Sequence, residues 1–162
     1  MKFLFDDESF SFETLRGTGF SVDGGADLGE VIITASAIGE GDDEAWHREW
    51  KALADRIAAL GATSLAAGHK VSAREALLRA SNYYRMAEFF RREDPFNDPE
   101  VTKLSKRSRD TFLAAAALMH TPVEDVRIPY EGRTLPAYLF FRRRQRQAAP
   151  DAHLQQRLRF NA

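Results

Sequence analysis

Two short patterns in this sequence carry residue types and spacings known from metal sites and dinucleotide sites. Glu44 and His47 would share one face of a helix, where a carboxylate and an imidazole can bind a metal ion. A metal site in a helical bundle needs further ligands from facing helices, and this sequence offers only one such pair. Residues 17–19 begin like a dinucleotide-binding loop, but Val22 occupies the position of the third glycine. We therefore expect neither a metal nor a cofactor.

A nucleophilic serine in one large class of hydrolases sits on a sharp strand-to-helix turn of the form Gly-x-Ser-x-Gly. Residues 61–65 (Gly-Ala-Thr-Ser-Leu) come nearest to this turn. They lack the second glycine and lie inside a helical pattern, where no sharp turn would expose the serine. The sequence therefore predicts no catalytic residue in this chain.

Five further residues have the chemical types that line a ligand pocket. Tyrosine hydroxyls and an asparagine amide can fix the orientation of a bound molecule, and an arginine can supply charge. Two alternatives stay open, namely core packing for the helical residues and a capping role for the histidine, which follows Gly68 in a predicted turn. The candidates that we expect to face a substrate are His69, Asn82, Tyr83, Tyr84 and Arg85.

The composition of the 162 residues is that of an ordinary globular domain, with 44% hydrophobic and 29% charged residues and a net charge of −1. Cysteine is absent, which excludes disulfides and thiolate chemistry. No stretch approaches the roughly 18 apolar residues of a membrane span, so we expect no membrane partner and a cytoplasmic protein. The sequence after Phe141 contains six arginines and one acidic residue. No aromatic residues alternate with the arginines, which argues against nucleic-acid binding.

Apolar periodicity predicts a mainly α-helical fold with about four helices. In residues 1–26 we expect phenylalanines that pack on a neighbour and glycines that make turns at positions 17, 19, 24 and 25. Asp27 is the predicted N-cap of a first helix that extends to Ile38. Its expected buried residues are Leu28, Val31, Ile32 and Ala35.

The second and third predicted helices have the strongest patterns. Asp42 or Asp43 caps the second helix and Gly68 ends it, and its apolar stripe contains Trp46, Trp50, Leu53, Ile57 and Leu60. A capping box at residues 72–75 begins the third helix, which continues to about position 92. Its apolar face is rich in small residues, which allow a close neighbour. We therefore predict that the two helices form an antiparallel hairpin.

A fourth helix and a β-hairpin complete the predicted domain. Asp98 is the N-cap of this helix and Pro99 lies in its first turn. Its predicted buried side consists of Val101, Leu104, Ser108, Phe112, Ala115 and Met119. We predict a helical cap domain at residues 1–122, a β-hairpin at 123–141 and a basic, disordered tail at 142–162.

Three separated segments resemble a known family, namely GDDEAWHREWKALADR, SLAAGHKVSAREALLRASNYYRMAEFF and VRIPYEGRTLPAYLFF. They are similar to the N-terminal region of α/β-hydrolases of the S9-type dipeptidyl aminopeptidase/acylaminoacyl-peptidase-like group, which are related to 2,6-dihydroxypseudooxynicotine hydrolase. The resemblance implies a helical cap over an active site, followed by the first hairpin of the hydrolase sheet. It also implies that the Ser-Asp-His residues lie beyond this chain, which we expect to be truncated before its catalytic domain.

The function expected from this resemblance is that of an α/β-hydrolase cap fragment, inactive by itself. Two alternatives from other classes remain, namely a helical-repeat-like module that binds proteins and a regulatory partner of a complete hydrolase. We expect the exposed surface of the cap and the hairpin to bind either a second copy or a hydrolase, because uncovered apolar surface usually marks a partner site.

Overall fold

The computed structural model describes residues 2–91, 94–95 and 97–141. Within them the chain forms five α-helices and one antiparallel strand pair. The helices are α1 (Glu8–Gly19), α2 (Leu28–Ser36), α3 (Asp43–Ala66), α4 (Lys70–Glu88) and α5 (Pro99–Ala116), and the strands are β1 (Val123–Tyr130) and β2 (Arg133–Phe140). The predicted mainly helical fold with a short hairpin is confirmed. The chain divides into two compact units, the first of which ends at His120.

Helices α3 and α4 form the predicted hairpin at the centre of the helical unit. The Asp42 carboxylate accepts a hydrogen bond from the Ala45 backbone N–H at 2.8 Å and so caps α3. Gly68, in the left-handed region at φ +80°, ends the helix as predicted. Close approach of α3 and α4 depends on Gly61, because a Cβ atom there would lie 2.9 Å from Leu77 Cγ.

The core of the helical unit is built from aromatic rings. Phe10, Trp46 and Phe90 form a triangle in which the ring centroids are 4.6–4.9 Å apart. Trp46 also contacts Trp50, which in turn contacts Tyr83. Aromatic pairs in such tilted and edge-to-face arrangements contribute about 0.5–1.5 kcal/mol each beyond the area that they bury.

Helix α1 was not predicted, since its glycines indicated turns. The Asp7 carboxylate caps it by accepting the Phe10 backbone N–H at 2.8 Å. Gly17 lies inside the helix and is buried against Met86, so its missing side chain serves close packing rather than a turn. Of the four glycines at positions 17, 19, 24 and 25, only Gly24, at φ +76°, has the left-handed backbone conformation that favours glycine.

Two other details of the predicted helices are wrong. Leu28, Ile32 and Leu60 lie on exposed faces rather than in the core, because their helices turn a narrower face inward than the apolar pattern indicated. The capping box is also absent. Helix α4 begins at Lys70, so Ser72 lies within its first turn, and the N-cap residue His69 makes no side-chain capping bond.

Helix α5 begins as predicted, because the Asp98 carboxylate accepts the Glu100 backbone N–H at 2.8 Å and Pro99 follows it. Val101, Leu104 and Ala115 are buried, and the other residues of the predicted inner side are partly covered. The helix packs along α4, and the Ser81 and Ser108 hydroxyls exchange hydrogen bonds with each other's backbone carbonyls at 2.8 Å.

The strand pair forms the second unit. Glu131 and Gly132 make a two-residue turn with φ of +44° and +73°, the combination found in type I′ hairpins. The register pairs Ile128 with Leu135 and Val126 with Ala137, so these apolar residues share one face of the ribbon. No residue of either strand is fully buried. The predicted tail at 142–162 lies outside the described residues.

We expect Gly61→Ala to destabilise the protein by about 1–3 kcal/mol, because the added methyl group overpacks the contact with Leu77. Gly19→Ala is the matched control. Nothing lies within 4 Å of a Cβ atom there, and alanine favours helix by up to about 1 kcal/mol. Urea unfolding of both variants measures the difference. Equal stability of the two variants would contradict the close approach of α3 and α4.

Candidate functional site

Asn82 on α4 is buried and connects three parts of the helical unit. Its side-chain amide donates hydrogen bonds to the carbonyl oxygens of Gly17, at 3.1 Å, and Gly25, at 2.9 Å. The Gly17 carbonyl, near the end of α1, also accepts the Phe20 backbone N–H, and the Gly25 carbonyl lies in the turn before α2. The amide therefore fixes α4 to the end of α1 and to the turn that precedes α2.

The Tyr83 hydroxyl makes two bonds to the beginning of α2. It accepts the Asp27 backbone N–H at 2.9 Å and donates to the Glu30 carboxylate at 2.8 Å. Arg79, one turn earlier on α4, donates to the same carboxylate oxygen at 3.0 Å. Burial raises the pKa of Tyr83 well above its usual range, and the Glu30 charge raises it further, so the hydroxyl stays a donor.

Tyr84 faces the other side of α4, toward α3 and α5. Its hydroxyl donates to Asp55 Oδ1 at 2.7 Å, and Arg107 donates to the same oxygen at 2.6 Å. The Arg107 guanidinium also lies 4.7 Å from the centre of the Tyr84 ring, in cation–π geometry. Burial raises the pKa of Tyr84 well above its usual range, and the bond to Asp55 adds to this effect.

The Asp55 carboxylate is the shared acceptor of this second network. Burial disfavours its ionised form, but hydrogen bonds from Lys51 and Tyr84 and the charge of Arg107 outweigh burial and lower the pKa of Asp55. Lys51 Nζ lies 2.7 Å from Oδ2. One carboxylate therefore joins α3, α4 and α5.

Arg85 lies near the end of α4, beside an aromatic ring. Its guanidinium is 5.9 Å from the centre of the Phe89 ring, and the guanidinium of Arg16 is 5.5 Å from the same centre. Arg16 in turn binds the buried carboxylate of Glu13, with Nε 2.9 Å from Oε2. The two cations thus lie beside one ring between α1 and α4.

His69 lies apart from the other four candidates. It occupies the turn between α3 and α4, is exposed, and is separated from Asn82 by about 20 Å of helix at 1.5 Å per residue. The other four are consecutive, so they spread around the helix at about 100° per residue and contact different neighbours. The structure therefore does not gather the five residues into one pocket, and their substrate-facing role stays a prediction.

A surface cleft that the sequence did not predict lies beside the start of α3. Its volume is about 340 Å³, and its described lining consists of Asp43, Glu44, Phe90, Arg91, Asp94 and Asp98. Arg91 is 3.3 Å from the Glu44 carboxylate and 3.2 Å from that of Asp98. The acidic segment from 94 to 98 was the available signal, but it indicated only a helix start, because Asp43 and Glu44 come from the distant first turn of α3.

The Glu44 and His47 side chains have separate partners. Glu44 pairs with Arg91, whereas His47 Nδ1 lies 3.0 Å from the Ala87 carbonyl oxygen at the end of α4. Among residues 2–91, 94–95 and 97–141, no group of three or more metal-ligating side chains is arranged to hold an ion. None of the helices in this part of the chain is long and apolar enough to cross a membrane.

Curated proteins similar to this chain are fungal hydrolases. Hydrolyase poxO of Penicillium oxalicum is 37% identical over 149 residues, which cover 91% of this chain and 35% of the relative. Alpha/beta hydrolase pydG of an Acremonium species is 41% identical over 132 residues, 81% of this chain and 30% of the relative. 20-hydroxy-prefusarin hydrolase of Gibberella moniliformis is 37% identical over 128 residues, which cover 79% of this chain and 30% of the relative. The chain thus spans about a third of the length of the curated relatives it matches.

The fold of this chain also has a counterpart among solved structures. The crystal structure of 2,6-dihydroxy-pseudo-oxynicotine hydrolase matches with a TM-score of 0.55 at 21% identity, over 78% of this chain and 32% of that chain. No family model matches the chain. Most of this chain therefore shares its fold with part of a known hydrolase. The homologues of this chain are α/β-hydrolases, as the resemblance of its segments indicated.

We expect Asn82→Ala to cost about 2 kcal/mol of unfolding free energy, because it removes two buried hydrogen bonds, to the carbonyls of Gly17 and Gly25. His69→Ala, at the exposed candidate, should change stability by no more than about 0.5 kcal/mol. Chemical denaturation followed by tryptophan fluorescence measures both. A neutral Asn82→Ala variant would show that the amide does not hold the two carbonyls.

The lowered pKa of Asp55 predicts a pH-dependent contribution to stability. Because the folded-state pKa lies below its usual value of 3.8, the ionised carboxylate stabilises the protein above that pH, and this contribution is lost as the pH falls through the folded-state pKa. Asp55→Asn should therefore be less stable than wild type by about 1–2 kcal/mol at pH 7, with a smaller difference at pH 2.5. Urea titrations at both values check this, and a difference independent of pH would contradict it.

Proposed function

We propose that this chain is the helical cap and first strand pair of an α/β-hydrolase. In this role the helical unit covers the substrate site of a catalytic domain, and β1 and β2 begin the catalytic sheet. The observation that carries the proposal is the extent of the similarity, since 79–91% of this chain matches proteins named as hydrolases over only 30–35% of their length. The matched region accompanies a much longer remainder in each of them.

The packing of the helical unit suits a cap. A cap must keep a fixed shape beside a substrate, because ligand pockets are largely formed before binding. Trp46, Trp50, Tyr83 and Tyr84 are fully buried, and the bonds of Asn82 and the two tyrosines tie α4 to α1, α2 and α3. Such a unit can present a stable surface to a second domain.

The strand pair supports the second half of the proposal. An isolated two-stranded ribbon is marginally stable in water. Here Ile128, Leu135 and Leu139 lie on one face of the ribbon, and each is about half exposed. Burying that face and extending the sheet would stabilise the ribbon, and the catalytic domain of a hydrolase would supply both the cover and the additional strands.

The chemical step would use residues outside this chain. The 162 residues contain no Gly-x-Ser-x-Gly segment, which is the turn that exposes the nucleophile in α/β-hydrolases. The role that remains for this chain is to bind substrate, exclude water and limit access. His69, Asn82, Tyr83, Tyr84 and Arg85 remain its substrate-facing candidates, and substrate contact would need side chains that now bond within the bundle to exchange partners.

A second candidate function is that of a regulatory partner of a complete hydrolase. The observation that favours it is the exposed apolar surface of α1 and α2, which includes Phe12, Leu15 and Ile33. An apolar surface of this kind can bind another protein. A second copy of the chain is the competing occupant, and size-exclusion chromatography with light scattering distinguishes a dimer from a monomer.

We expect the purified 162-residue chain to remain unlabelled by a fluorophosphonate probe that reacts with activated serines. A chimera in which this chain replaces the matched third of Acremonium alpha/beta hydrolase pydG should be labelled at one serine of the Acremonium portion. The same relative without its matched third is the control and should lose labelling. Labelling of one serine in the isolated chain, or a folded chimera that does not react, would contradict the cap proposal.

A further inference from the structure

The segment before α1 folds back over the helical unit, and its attachments include a 2.7 Å hydrogen bond from the Phe3 backbone N–H to the Ser11 hydroxyl. Lys2, Leu4, Asp6 and Asp7 are exposed, whereas the Phe5 side chain is 5% exposed and enters the aromatic core. We call residues 2–7 the N-terminal strap. Phe5 is the only buried residue of the strap, so its ring provides the main apolar contact with the rest of the protein.

The aromatic core is complete without Phe5. Phe10, Trp46 and Phe90 contact one another in a closed triangle. The Phe5 ring lies outside this triangle, with its centroid 5.4 Å from that of Phe10 and 6.1 Å from that of Trp46. Departure of Phe5 would therefore leave the three inner rings in contact and open an aromatic-walled site at Phe10 and Trp46.

Polar bonds from a distant loop hold the strap in place. The two carboxylate oxygens of Glu40 accept the backbone N–H groups of Asp6 and Asp7, each at 2.8 Å. Glu40 is exposed and lies between α2 and α3. The acidic side chains of Asp6 and Asp7 lie next to this carboxylate, and Lys2 of the strap offsets their charge by pairing with Asp6 at 2.9 Å.

The backbone of the strap is also strained. Leu4 has φ of +66°, a left-handed conformation that is unfavourable for a residue with a branched side chain. Such a conformation persists only where the surrounding contacts impose it. Release of the strap would relieve this strain, whereas the buried Phe5 ring, the Glu40 bonds and the Phe3–Ser11 bond favour attachment.

From these contacts we propose that the strap is a releasable plug and that the site occupied by Phe5 binds a planar aromatic group of a ligand. The ligand ring would take the place of the Phe5 ring against Phe10 and Trp46. The Phe5 side chain is thus an internal competitor for this site, and Glu40 sets the fraction of molecules in which the site is open. This site would exist whether or not the chain caps a hydrolase.

The test uses the full chain and toluene as the aromatic probe. Binding is followed through the Trp46 indole N–H signal in ¹H–¹⁵N spectra, since this group is fixed by its 2.7 Å bond to the Met86 carbonyl. Glu40→Ala removes the two bonds to the Asp6 and Asp7 amides but leaves the other contacts of the strap, including Phe5, in place. It should bind toluene about tenfold more tightly than wild type, because apparent affinity scales with the fraction of the open state. Glu75→Ala, which removes an exposed carboxylate on α4, is the matched control and should bind like wild type.

Amide hydrogen exchange provides the second measurement. Toluene should accelerate exchange at the Asp6 and Asp7 amides of the wild-type chain, because ligand binding to the open state releases both from Glu40. If Phe5 were only a core residue, toluene would not accelerate exchange at the Asp6 and Asp7 amides. The proposal is overturned if Glu40→Ala and Glu75→Ala bind toluene equally, or if toluene leaves the Asp6 and Asp7 exchange rates unchanged.

Discussion

The helical unit depends on the requirement that polar groups buried on α4 find partners. Asn82, Tyr83 and Tyr84 are consecutive and all are buried, so their polar atoms reach three different neighbours. A buried polar group without a partner costs about 1–3 kcal/mol. This cost fixes the positions of α1, α2 and α3 around one central helix, because each must bring its acceptor to within bonding distance.

Aromatic packing and close backbone contact add to this polar constraint. The Trp46 indole donates to the Met86 carbonyl and His47 lies against that of Ala87, so the end of α4 is joined to the beginning of α3. At the other end of the helical pair, Gly61 allows α3 to approach Leu77. The pair is therefore held along its length, which gives the proposed cap a surface of fixed shape.

The structure of the strand pair is determined by different interactions from those that determine the helical unit. Its turn is determined locally by Glu131 and Gly132, and its register follows from that turn. What it lacks within the described chain is a cover for the face that carries Ile128 and Leu135. The first strands of a larger sheet would have these two properties, a well-defined local geometry and an exposed apolar face. In the hydrolase homologues the remainder of the chain is about twice as long as the matched region.

The sequence by itself determined the elements whose signals are local. Asp27, Asp42 and Asp98 cap their helices as predicted, Gly68 ends α3, and the apolar stripe from Trp46 to Ile57 lies in the core. These features depend on nearest neighbours along the chain and on a regular period. The resemblance to α/β-hydrolases could likewise be recognised from three separated segments, and the similarity of 91% of this chain to hydrolyase poxO confirms it.

Only the tertiary structure decided which chemical groups meet. Gly17 looked like a turn residue because its packing partner, Met86, is 69 positions away. The tyrosines of α4 looked like candidates for substrate contact, yet their hydroxyls bond to Glu30 and Asp55, and the Glu40 carboxylate binds the backbone of a segment more than thirty residues earlier. No periodicity encodes such pairings, because they arise when helices distant in sequence are packed side by side and each buried polar atom takes the partner within reach.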